Sequence, residues 1–62
     1  MHQVTAIFQN AEVGYGEGER LGYAVEECLE SIPEIISGSA DRYEISLLII
    51  YPDGRKETCR IV

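Results

Sequence analysis

The chain has 62 residues, with eleven acidic against five basic side chains and a formal charge of −6 at pH 7. That length accommodates one small domain, residues 1–62, with a thin core and no room for a deep cofactor pocket. The negative charge argues against nucleic acid or an anionic membrane as a direct partner, because both repel a polyanion.

The opening residues, Met1 to Phe8, carry neither a basic cluster nor an apolar run of signal-peptide length. No stretch approaches the roughly 18 consecutive apolar residues of a membrane span, so a cytoplasmic chain is expected. Val4, Ala6 and Phe8 alternate with Thr5 and Ile7, which is the period of a strand. Residues 10–18 follow as a polar connection, and its Gly14-Tyr15-Gly16-Glu17-Gly18 piece holds too many glycines to continue a strand or helix by propensity.

From Glu19 to about Ile32, the residues Leu21, Val25, Cys28, Leu29 and Ile32 recur at helical spacing. Tyr23, Glu26, Glu27 and Glu30 are left facing water. Gly16 or Gly18 would cap the helix start, with Glu17 and Glu19 suiting its positive end. Pro33 stops the helix near Ser31, and residues 33–36 form a separate short turn before a loop at 37–40.

Tyr51-Pro52-Asp53-Gly54-Arg55 has the chemistry of a hairpin turn. Pairing Tyr51 with Arg55 sets Ile45 opposite Ile61, Leu47 opposite Cys59 and Ile49 opposite Glu57 on one face. Leu48, Ile50, Lys56, Thr58 and Arg60 then share the other. The order strand, helix, strand, strand predicts an α+β fold in which one helix covers one face of a three-stranded sheet. A right-handed crossover favours strand order 1-3-2 over 1-2-3.

No element remains to cover the second sheet face. Ile7, Leu48, Ile50 and Val62, interleaved with polar residues, make it a candidate dimer surface. The sheet edges offer another route to association, by strand addition. Charge is polarised as well, with residues 1–41 carrying a net −7 and residues 42–62 a net +1. Glu19, Tyr23, Glu26, Glu27, Glu30 and Tyr15 are the candidate contacts for a protein with a basic surface, the tyrosines serving as anchors among carboxylates.

Motifs for chemistry are weak. The pattern G-x-G-x-x-G would need glycine at 19, where Glu19 stands, and Glu12, Glu17 and Glu19 would repel a phosphate. Cys28 and Cys59 both face the predicted core as small buried thiols, and with His2 at the far end of the chain they do not make a zinc set. Glu26 and Glu27 diverge by about 100° around the helix, so they do not converge as an acid and base pair.

The expected function is a small, acidic, non-catalytic protein-binding module of adaptor or inhibitor type. It is expected to be homodimeric, to use no cofactor, and to dock an acidic helix face on a basic partner. The alternative is a very small enzyme or metal-dependent catalyst assembled across a dimer interface, and a third possibility is direct nucleic-acid binding through Lys56 and Arg60.

Overall fold

A computed structural model describes residues 1–38 and 44–60. Its elements are β1 (His2–Phe8), β2 (Ala11–Gly18), α1 (Leu21–Ser31), α2 (Glu34–Ser37), β3 (Ser46–Ile50) and β4 (Lys56–Arg60). The strands form one antiparallel sheet in the order β2-β1-β3-β4. This corrects the expected three-stranded sheet of order 1-3-2. The glycine-rich connection is itself a strand, and β4 lies outside β3 rather than between β1 and β3.

The correction has a local cause. Gln9 and Asn10 both adopt positive φ, at 50° and 64°, making a two-residue hairpin turn without a glycine. The chain therefore reverses before it enters the helix. The crossover begins from β2, passes β1 and ends on β3, which runs parallel to β2 because both are antiparallel to β1. A register shift between Ala6 and Ile7 accommodates Val13 as an extra residue in β2.

The Pro-Asp-Gly hairpin agrees with its sequence signature. The Tyr51 N–H donates to Arg55 O at 2.8 Å, and Gly54 takes φ 92°. Leu47 pairs with Cys59 and Ile49 with Glu57, as the turn register requires. The expected Ile45–Ile61 pair lies outside the described residues, as does Val62.

Only Glu19 and Arg20 separate β2 from α1, so the helix must turn straight back over the strand it leaves. Gly14, Gly16 and Gly18 occupy alternate positions of β2, on the face that meets the helix. A Cβ at Gly16 would stand 2.3 Å from Ala24 O and 2.4 Å from Cys28 N, distances that no side chain can hold. The strand thus meets the helix backbone directly, and Ala24 and Cys28 are the small, fully buried helix residues at the contact.

The core comprises Val4, Ala6, Ala24, Cys28, Ile32, Ile45, Leu47 and Ile49. Helix α1 starts two residues later than expected, with Arg20 at its N-cap and no side-chain cap bond; Gly16 and Gly18 belong to the strand. No acidic residue lies in its first turn, so tertiary packing rather than capping holds the helix. Leu29, expected in the buried stripe, is 40% exposed, and Ala24 takes the central place instead. Such close approach admits a methyl group where a leucine would separate the two backbones.

Candidate functional site

The outer stripe of α1 carries Tyr23, Glu26, Glu27 and Glu30 at positions i, i+3, i+4 and i+7. The Tyr23 hydroxyl donates to Glu27 Oε1 at 2.7 Å, fixing an aromatic ring against a carboxylate. That ring also rests over Gly18, where a Cβ would stand 2.5 Å from Cδ1. Tyr23 is 56% exposed, and Leu29 flanks the stripe. The helix contains no basic residue. Its surface therefore presents three carboxylates around one ordered tyrosine and one exposed aliphatic side chain.

Glu19 and Tyr15 lie apart from this stripe. Glu19 sits in the β2–α1 connection, and its carbonyl oxygen is 3.0 Å from His2 Nδ1. Tyr15 pairs with Thr5 on the sheet face away from α1, where its hydroxyl donates to Glu17 Oε2 at 3.0 Å. The six acidic-face candidates thus divide between the helix, the connection and the opposite face of the sheet.

The expected second-face residues do share a surface. Cross-strand pairing yields three rows on the side opposite α1. These are Glu17–Gln3–Ile50–Lys56, Tyr15–Thr5–Leu48–Thr58 and Glu12–Ile7–Ser46–Arg60. Each row crosses the sheet from β2 through β1 and β3 to β4. Ile7, Leu48 and Ile50 form a half-buried apolar centre, with Glu12 and Glu17 exposed along one side and Lys56 and Arg60 exposed along the other. Both helices pack on the far side of the sheet, since Ala24, Cys28 and Ile36 belong to or border the core.

Sequence reasoning missed Ser31. Its hydroxyl oxygen accepts from the Tyr15 N–H at 2.8 Å, lies 3.1 Å from Tyr15 O and is 2.8 Å from Cys28 O. One helix side chain thus occupies the outward-facing backbone groups of Tyr15 on the edge strand. Position alone could not reveal this contact, because it depends on β2 being a strand.

A second cluster lies at the turn end of the sheet. His2 and Tyr51 meet edge to face with centroids 5.5 Å apart, and Arg55 lies over the Tyr51 ring at 4.7 Å. The Tyr51 hydroxyl donates to Glu57, while Arg55 pairs with Asp53 at 2.9 Å. These bonds set the local electrostatics. The carboxylates that accept from Tyr15, Tyr23 and Tyr51 hold all three phenols above the ordinary tyrosine range, since ionisation would break each bond. The Arg55 backbone N–H, followed by its guanidinium, holds the Asp53 carboxyl below the ordinary aspartate range.

The two cysteines differ. Cys28 is fully buried and burial raises its thiol pKa, partly offset by a hydrogen bond with the Ala6 backbone. Cys59, expected in the core, is exposed. Its alternation is that of a core-side residue, opposite Leu47, but α1 lies over β2 and β1 and does not extend over β4.

Among the described residues, no cavity is found, no three His, Cys, Asp or Glu side chains converge as a metal site, and no helix is long and apolar enough to cross a membrane. No family model matches the chain, and comparisons with curated proteins and with solved structures return no significant match.

Proposed function

We propose that this chain is a non-catalytic protein-binding module, of adaptor or inhibitor type, that docks the outer face of α1 on a basic protein surface. The reading rests on one observation: Tyr23, Glu26, Glu27 and Glu30 form a continuous stripe on a helix with no basic residue to neutralise it. Carboxylates so arranged steer a cationic partner toward the helix, and an ordered aromatic ring beside exposed Leu29 supplies desolvated contact once it arrives. Holding Tyr23 against Glu27 lowers the entropy lost on binding. Glu19, at the entrance to the helix, extends the negative field.

The test is a nuclear magnetic resonance titration of the protein with a Lys/Arg-rich helical peptide. The expected shifts map to Tyr23, Glu26, Glu27, Leu29 and Glu30, fade as salt is raised to about 0.5 M, and vanish in the triple variant Glu26→Gln/Glu27→Gln/Glu30→Gln. Shifts spread evenly over every acidic residue, or persisting in the triple variant, would contradict the reading.

A further inference from the structure

The sheet face opposite α1 is a separate surface, and its charges are ordered. Glu12 and Glu17 border it along β2, Lys56 and Arg60 border it along β4, and Ile7, Leu48 and Ile50 lie between. We propose that this face binds a second copy of the chain, face to face, about a twofold axis that runs parallel to the strands between β1 and β3.

The charge order selects the axis. A half-turn about a line parallel to the strands keeps each row at its own level and reverses it from side to side. Glu17 then lies over Lys56 of the second copy and Glu12 over its Arg60, each couple occurring twice by symmetry. Leu48 then lies over Thr5, Ile50 over Gln3 and Ile7 over Ser46, and each of these apolar side chains has its own symmetry mate across the axis, about one strand spacing (~4.8 Å) to the side. A half-turn about the perpendicular in-plane direction would instead place Glu17 over Glu12 and Lys56 over Arg60. Like charges facing across an apolar interface disfavour that arrangement. Sheets stacked in the favoured way pack about 10 Å apart with strands within about 30° of alignment.

Association through the β2 edge is hindered by the Ser31 hydroxyl, which already occupies the outward backbone groups of Tyr15. The face itself is small. Four strands about 4.8 Å apart and five residues long give a footprint of roughly 300 Å² per copy. With side-chain relief, the pair buries on the order of 1,000 Å², near the lower limit for a specific complex. The dimer is therefore weak and concentration-dependent. This inference concerns a different surface from α1, so either can fail without the other.

Sedimentation of the wild-type chain in reductant, from about 10 μM to about 1 mM, reads the association directly. The expected result is a monomer–dimer equilibrium that weakens with salt. Glu12→Lys/Glu17→Lys gives two basic borders and Lys56→Glu/Arg60→Glu two acidic ones, and each variant alone should associate at least about tenfold more weakly. Mixed in equal amounts, the two variants should form a heterodimer, which also demonstrates that both are folded. Leu48→Asp, at the centre of the face, should sediment as a monomer while keeping its circular dichroism. A wild-type chain that stays monomeric at about 1 mM, a dimer indifferent to both reversals and to Leu48→Asp, or a mixture that fails to pair would each overturn the proposal.

Discussion

The two ends of the sheet solve the same packing problem in opposite ways. On β2 the chain removes side chains: Gly14 and Gly16 let the α1 backbone settle directly on the strand, and Gly18 makes room for the Tyr23 ring. On β3 it keeps large ones, and Leu47 and Ile49 are buried, yet the neighbouring strand β4 is exposed along its whole length. Close approach on the first side is what leaves the second side bare. A helix tied to β2 by two residues and drawn flush against it spans β2 and β1 and does not reach β4. A small chain can therefore hold an ordered core while leaving much of its sheet open to other molecules.

The most damaging way to break this contrast is to restore a side chain where the backbones meet. Gly16→Ala puts a methyl group within 2.4 Å of two α1 backbone atoms and should cost about 3 kcal/mol or more. The whole fold of a chain this long is worth only roughly 3–9 kcal/mol, so most of the variant should be unfolded or severely destabilised in a urea titration. The control is Gly22→Ala, in α1 itself but with open space around the added Cβ. Removing an exposed helical glycine should raise stability by up to about 1 kcal/mol. Two glycine-to-alanine changes of equal and small effect would mean that α1 does not lie on β2 as described.

A gentler probe compares the cysteines. Cys59 on β4 should react with a thiol reagent at the rate of an exposed thiol. Cys28, buried on the inner face of α1 with its thiol pKa raised by desolvation, should react at least about a hundredfold more slowly, limited by opening of the fold. Equal rates would show either that α1 is detached or that the chain covers β4.

These comparisons also show where the sequence was legible. Alternation in Val4 to Phe8 identifies one strand, and Pro52-Asp53-Gly54 identifies the two strands that flank it together with their register. The face shared by Ile7, Leu48 and Ile50 followed from the same period of two. Strand β2 was hidden because glycine reads as a loop residue and Gln9-Asn10 lacks the usual glycine of a tight hairpin. The available signal was its spacing: glycines at 14, 16 and 18, alternating with Tyr15 and Glu17, have the same period as the other strands. Hydropathy favours Leu29 over Ala24 because it rewards size, whereas a glycine-lined contact rewards smallness. Alternation gives the orientation of Cys59, but whether it is covered depends on how far the helix reaches.

Among the described residues the sheet is covered on one side by its own helices and left open on the other. Relaxation of methyl signals by a soluble paramagnetic agent, followed through a dilution series, tests this directly. The account predicts that the methyls of Val4 and Ala24 stay protected throughout. Those of Ile7, Leu48 and Ile50 should be protected when concentrated and increasingly relaxed on dilution, as the second copy leaves. Protection of all five at every dilution would contradict it, because the chain would then be covering its own second face.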